Sequence, residues 1–296
     1  MEATFLSKVI LPVSLFIIMW GMGLSLQLED FRRVVKLPKA VAIGIALQML
    51  ALPLLGLAVV TLFGMTGALG VGLLVLALSP GGVTSNMIAF LARGDVALSV
   101  TLTAIVSLLS PFTLPLLLAP IMRVMIGSDK AVALPVGETI LQLLAITVVP
   151  IALGMLIRAK APRFAARSEQ PVKVLSILFL GLIIAGIMRQ NWEKLPDFFA
   201  QVGLAALTLN VLALAVGYFG AKVFALSRRQ SVTIGIEVGI QNGTTALLIT
   251  STILGDAVMS VAPAIYSLIM FGTGAVFAVL VNRRGEVEPA APHPAA

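Results

Sequence analysis

The chain contains no cysteine, a single histidine and only 11% Asp, Glu, Lys and Arg across 296 residues. Without thiols there is no disulfide and no thiol chemistry, whatever the compartment. The one imidazole, His293, falls in a Pro/Ala-rich stretch after Arg284 that is expected to be inert and disordered, a cytoplasmic tail over 285–296. No hydrophilic stretch is long enough for a separate soluble domain. What fills the chain instead is apolar: 59% hydrophobic residues and a mean hydropathy of +1.08 mark an all-α integral membrane protein built almost wholly of spanning helices.

Nine apolar segments divide the chain, roughly 4–27, 38–63, 68–92, 96–122, 132–157, 171–189, 197–225, 230–253 and 257–282. The loops between them alternate in charge. One side carries Arg32, Arg33, Lys36, Lys39, Arg93, Arg158, Lys160, Arg163, Arg167, Lys173, Lys222, Arg228, Arg229, Arg283 and Arg284; the other carries Lys8, Arg123, Lys130, Arg189 and Lys194. That asymmetry predicts an outside N-terminus and a cytoplasmic C-terminus. It also accounts for the net charge of +7 as a topology signal, leaving no reason to invoke nucleic acid. No basic stretch precedes the first segment and no small-residue cleavage site precedes Glu29, so that segment is expected to be a retained helix.

Two segments are interrupted. The third contains Ser79-Pro80-Gly81-Gly82-Val83-Thr84-Ser85-Asn86, and proline with paired glycines predicts an unwound break in mid-membrane. The eighth carries Gly239, Asn242 and Gly243 beside Thr244 and Thr245, a softer signal of the same kind. Segments two to four and seven to nine have opposite orientation, so the breaks occupy matching positions of inverted halves. That pattern points to a secondary transporter with a binding site near the midplane.

Glu237 is the one carboxylate that no nearby loop can carry to the surface. A charge at that depth costs at least ~2.5–3.5 kcal/mol, so it is expected to bind or move something. Four residues on is Gln241, on the same helix face, and Ser99 and Thr103 form a second such pair. Ser85 and Asn86 follow the first break, and Gln48 sits mid-span. The structural alternative is hydrogen bonding within or between helices. As ligands, these carboxylate, amide and hydroxyl oxygens suit a hard cation, and one carboxylate among neutral oxygens favours a monovalent ion such as Na⁺.

With these residues assembled, the chain resembles the bile acid:sodium symporter family, as a bacterial-type member. The resemblance rests on Ser79 through Asn86, on Leu91-Ala92-Arg93-Gly94-Asp95-Val96-Ala97-Leu98-Ser99 and on Ile236-Glu237-Val238-Gly239-Ile240-Gln241-Asn242, with Phe31 through Pro38 and Pro263-Ala264 also fitting. It implies nine transmembrane helices in an inverted-repeat transporter over 1–284, with two crossed discontinuous helices. The core would be about 38–122 and 197–282, and the panel about 4–27 and 132–189. Some bacterial members have a further N-terminal helix, after which this chain is expected to start.

The resemblance also implies two coupling Na⁺ ions and no organic cofactor. One sodium site would use Ser85, Asn86, Ser99, Thr103 and Glu237. A second would use Gln48, Glu237 and Gln241 with backbone oxygens of Val238 and Ile240. The implied substrate-facing residues are Val83, Thr84, Asn242, Gly243, Tyr266, Met270 and Phe271. Val83 stands where bile-acid binders have threonine, and Met270-Phe271 replaces a His-Asn pair, so pantoate or a keto acid is as good a candidate as a steroid. Ser267 and Thr273 add polar groups to the last helix.

The expected activity is sodium-coupled import of an organic anion by alternating access, across a bacterial inner membrane. The expected assembly is a monomer or weak homodimer in the lipid bilayer. Proton coupling through Glu237 and a non-transporting ligand sensor remain open as alternatives. An enzyme is not expected: no His, Cys or second deep carboxylate stands near Glu237 to form a catalytic pair.

Overall fold

The structure, a computed structural model, describes residues 9–126, 134–190 and 192–283. Lys8, Lys130, Arg284, His293 and the 285–296 tail lie outside the described residues.

Twelve helices follow in order: α1 Leu11–Ser25, α2 Leu28–Lys36, α3 Pro38–Leu62, α4 Gly67–Leu78, α5 Val83–Leu91, α6 Val96–Ile126, α7 Val136–Lys160, α8 Pro162–Gln190, α9 Leu195–Val223, α10 Arg228–Gly239, α11 Gly243–Ile253 and α12 Val261–Arg283. There is no β-strand among the described residues. Six helices are long and apolar enough to cross a membrane, and a seventh span results if α1 and α2, bent by 66°, are taken together. The expected third and eighth segments are each split into two short helices, α4 with α5 and α10 with α11.

Local chemistry accounts for both splits. Pro80 has no N–H and biases the residue before it away from the helical region, and Ser79 is extended (φ −73°, ψ 152°). In the second split Ile240 is extended (φ −106°, ψ 103°), and Asn242 restarts the helix by accepting from the Thr245 N–H at 3.1 Å. The two breaks then complete each other. Gly81 and Gln241 form an antiparallel bridge, and the Asn242 N–H donates to the Pro80 carbonyl at 2.8 Å. Unwound backbone is tolerated at this depth only where protein satisfies it, and here each break serves the other.

α3 and α7 each contain one wide turn, Leu47–Ala51 and Leu144–Val148. Pro53 and Pro150 follow these turns and explain them, since neither can donate to the preceding turn. The wide turn in α3 holds Gln48 in the interior.

α1 lies against α7 and α8; α9 lies against α10 and α12, while α4 touches α3, α6 and α12. Helices approach closely at α9–α10, where Gly217 faces the Ile234 carbonyl and Gly235 faces the Leu214 carbonyl, and at α1–α7, where Gly23 faces the Ile151 carbonyl and Gly154 the Trp20 carbonyl. Small residues allow backbones to come this near.

The stretch 28–36, read from sequence as a basic loop, is instead the amphipathic helix α2. It begins with a capping box in which the Gln27 N–H donates to Asp30 Oδ2 at 2.8 Å. Arg32–Glu29 (3.5 Å) and Arg33–Asp30 (3.6 Å) pair along it. Its charge density masked its periodicity.

Candidate functional site

Glu237 sits on α10, 1% exposed, one turn before the break. Both its oxygens are held by hydroxyls of α6: Ser99 Oγ donates to Oε1 at 2.5 Å and Thr103 Oγ1 to Oε2 at 2.7 Å. The i, i+4 spacing of Ser99 and Thr103 puts both hydroxyls on one face of α6, opposite the two arms of the carboxylate. The Asn86 Oδ1 of α5 is 2.8 Å from Ser99 Oγ and 3.4 Å from Thr103 Oγ1. Ser85 Oγ donates to the Gly82 carbonyl at 2.7 Å and lies 3.5 Å from Thr103 Oγ1. Ser85, Asn86, Ser99, Thr103 and Glu237 therefore form one knot of oxygens from three helices. Among the described residues the ion pairs are the two on α2, and no three His, Cys, Asp or Glu side chains come together. The negative charge of Glu237 has neutral oxygens around it and no cationic side chain.

Gly81, in the first break, closes the knot from the other side. A Cβ there would stand 2.8 Å from Glu237 Oε2, 3.4 Å from Ser85 Oγ and 3.5 Å from Gln48 Nε2. Only glycine lets the backbone pass so near the carboxylate.

The second expected ligand group is partly engaged. Gln241 Nε2 donates to the backbone oxygens of Val238 at 2.7 Å and Glu237 at 3.1 Å, so Val238 O is already bound by a side chain of the second break. Gln241 Oε1 and both amide atoms of Gln48 are buried without a hydrogen-bond partner. Unpaired buried amides are costly, and Gln48 faces the Glu237 region across Gly81. Ile240 contributes its N–H to Ile236 O at 2.7 Å.

Four of the seven expected substrate residues come together. Val83, Thr84, Asn242 and Gly243 line a cavity of about 20 Å³, closed on its far side by Ile18 of α1 and by Ser176 and Leu180 of α8. Asn242 Nδ2 is buried there without a partner while its Oδ1 caps α11. Tyr266, Met270 and Phe271 are not among the lining residues. Met270 is fully buried in the apolar core, and the Tyr266 hydroxyl donates to Gly239 O at 2.9 Å. Ser267 of α12 also meets the second break, its Oγ lying where a Cβ on Gly243 would go.

Asn210 was missed in the sequence. It donates to Gly239 O at 2.8 Å, and its only signal was an amide in the middle of the apolar seventh segment. Ile18, Ser176 and Leu180 gave no signal at all, being ordinary residues for a membrane helix.

The fold and the knot define a class: a helical, multi-span membrane protein in which two interrupted helices bring one buried carboxylate to a ring of neutral oxygens. Residues 12–197, more than half of the chain, match the model of the sodium bile acid symporter family. The chain belongs to that family of sodium-dependent transporters. It is similar to an uncharacterized sodium-dependent transporter, YocS, of Bacillus subtilis, with 28% identity over 78% of this chain and 70% of the relative. A probable chloroplastic sodium/metabolite cotransporter of rice, BASS2, is 29% identical over 95% of this chain and 66% of its own length. The human P3 protein is 31% identical over 80% of this chain, which covers 49% of that protein.

Proposed function

We propose that this protein is a sodium-coupled symporter that imports a small organic anion by alternating access, with two Na⁺ ions meeting at Glu237. The observation that carries the reading is the buried carboxylate surrounded by hydroxyl and amide oxygens with no cationic side chain of its own. Such a charge is stable in a membrane interior when a cation joins it, and the hard oxygens of the five residues in the knot suit Na⁺. The first ion would sit among Ser85, Asn86, Ser99, Thr103 and Glu237. The second would draw on the unpaired amide oxygens of Gln48 and Gln241, with Glu237 and the backbone oxygens of Val238 and Ile240. Gln241 Nε2 would release Val238 O as that ion arrives.

The six long helices, α1 and the two broken spans would make nine crossings. On this reading α3–α6 and α9–α12 are the inverted core halves, whose broken helices cross, and α1, α7 and α8 are the panel. The mutual packing of α1 with α7 and α8 supports that division. The positive-inside asymmetry supports an outside N-terminus and a cytoplasmic C-terminus.

The anion would bind between core and panel, at Val83, Thr84, Asn242 and Gly243. The N-termini of α5 and α11 point positive potential at this place, and the unpaired Asn242 amide offers a donor. A cavity of about 20 Å³ holds roughly one water, so α1 and α8 must move from the breaks to admit an anion. With Val83 lining the cavity, pantoate or a keto acid is at least as good a candidate as a bile acid, while Met270 and Phe271 lie off the lining. Two Na⁺ with one monovalent anion carry one net positive charge, which a membrane potential drives by ~2.3 kcal/mol per 100 mV.

The test is uptake of radiolabelled pantoate, pyruvate and taurocholate into proteoliposomes. Inward sodium gradients should drive accumulation at constant pH, and an inside-negative potential should increase it. Equal uptake from sodium-free buffer, abolished by a proton ionophore, would replace sodium by proton coupling. Anion binding without flux would make the protein a sensor.

A further inference from the structure

At the end of α10 the carbonyl of Gly239 loses its place in the helix ladder, because the Gly243 N–H turns to Gln241 O at 3.1 Å. Two side chains from other helices take that carbonyl. Asn210 of α9 donates Nδ2 at 2.8 Å, and Tyr266 of α12 donates its hydroxyl at 2.9 Å. Both residues are fully buried. Thr273, also on α12, hydrogen-bonds to Asn210 Oδ1 and so keeps the amide turned with its NH₂ toward Gly239. The other pole of the same peptide unit, the Ile240 N–H, is bound to Ile236 O at 2.7 Å.

The Gly239–Ile240 peptide is thus gripped at both ends, by its own helix and by two neighbouring helices. It lies between two backbone oxygens, of Val238 and Ile240, and just ahead of Gln241, which bridges to Gly81. Satisfying an orphaned carbonyl needs one donor; two donors and a third side chain to orient one of them do more than satisfy it. A rotation of this peptide would move the flanking carbonyls and Gln241 together.

We infer that Asn210, Tyr266 and Thr273 are positioning residues for the second sodium site, setting its affinity by fixing the Gly239–Ile240 peptide without touching the ion. The inference rests on the sodium-coupled reading proposed above. It gives Tyr266 a role in the coupling-ion site, in place of contact with the anion.

The experiment is a sodium titration of thermal stability on the full chain, purified in detergent, with choline replacing Na⁺ to hold ionic strength. Wild type should be stabilised by Na⁺ with a measurable midpoint concentration. Tyr266→Phe and Thr273→Val should each raise that midpoint about three- to tenfold, the worth of one ordinary hydrogen bond. Asn210→Leu, which nearly keeps the shape, loses the donor and adds no charge, should shift it at least as far. The Tyr266→Phe/Asn210→Leu pair should be non-additive, since both act on one carbonyl. If the variants lose stability in choline but keep the wild-type sodium midpoint, the three residues are merely structural and the inference is overturned, with sodium coupling intact. Tyr266→Phe removes a single hydroxyl and answers the question even if Asn210→Leu does not fold. A wild type indifferent to Na⁺ would overturn the sodium reading itself and this inference with it.

Discussion

Thr103 and Glu237 stand 134 residues apart in the chain and 2.7 Å apart in space, with Thr103 Oγ1 donating to Glu237 Oε2. The bond ties α6, the span that follows the first broken one, to α10, the helix before the second break. A ligand that pulls on the carboxylate therefore pulls on both halves of the molecule.

Thr103→Val keeps the shape of the side chain and removes the donor. Hydrogen bonds to charged groups are worth about 1.5–3 kcal/mol, so the sodium concentration for half-maximal uptake should rise by about tenfold or more. Maximal uptake at saturating sodium should fall much less. Sodium-dependent uptake measured across a concentration series decides it, and an unchanged half-saturation point would remove Thr103 from the ion's neighbourhood.

Glu237→Gln should have opposite effects on stability and on coupling. Without sodium, wild type keeps a charge that no cationic side chain meets, at a cost of several kcal/mol. The neutral variant should therefore melt at the same temperature as wild type or higher in sodium-free buffer. It should then gain nothing from added Na⁺ and show no sodium-driven uptake. A variant that melts lower and still responds to sodium would mean that Glu237 is a structural group.

Gly81→Ala tests the close passage of backbone and carboxylate. The new Cβ would lie 2.8 Å from Glu237 Oε2, too near for any real contact. The carboxylate must shift, or the bridge to Gln241 must open, at about 1–3 kcal/mol for an overpacked site. Uptake should fall at least tenfold while the protein still reaches the membrane. Retained uptake would show that the first break has slack.

Gln48→Leu should lower the sodium cooperativity of uptake. Both amide atoms of Gln48 are buried and unpaired, so an apolar replacement should raise stability in sodium-free buffer, by about 1–3 kcal/mol. If Gln48 serves only the second ion, the Hill coefficient for sodium should drop toward one.

Asn242→Asp separates the anion from the ions. Aspartate caps a helix as well as asparagine does, so the chain should still fold, with a melting temperature lowered by the added buried charge. Its charge would oppose a carboxylate in the cavity, so the anion concentration for half-maximal uptake should rise sharply. Stabilisation by sodium alone should persist.

The first break is plain in the sequence, because a helix cannot run undisturbed through a proline followed by two glycines. Glu237, Ser99 and Thr103 are also legible there, since helical spacing places them on single faces. The second break is fainter: its agent is Asn242, which works as a cap and reads in a string as one more polar residue. Ser85, Asn86, Ser99, Thr103 and Glu237, expected together as ligands of one ion, lie within one set of hydrogen bonds. What could not be read was which helix satisfies which orphaned group. Tyr266 looked like a substrate contact because it is polar, yet its hydroxyl goes to a carbonyl 27 residues away in the chain. The far wall of the cavity was hidden for a different reason: Ile18 and Leu180 are what any bilayer helix would carry.

The pairing of the two breaks bears on how the protein is made. Pro80 O and Gly81 find their backbone partners in Asn242 and Gln241, which a ribosome reaches some 160 residues later. Until then the N-terminal half holds, within lipid, an unwound segment with unmet hydrogen bonds. That half must wait in an unfinished state, shielded by water, by the insertion machinery or by a temporary helical pairing. Two separately expressed halves should each be short-lived in cells and should rescue one another when produced together.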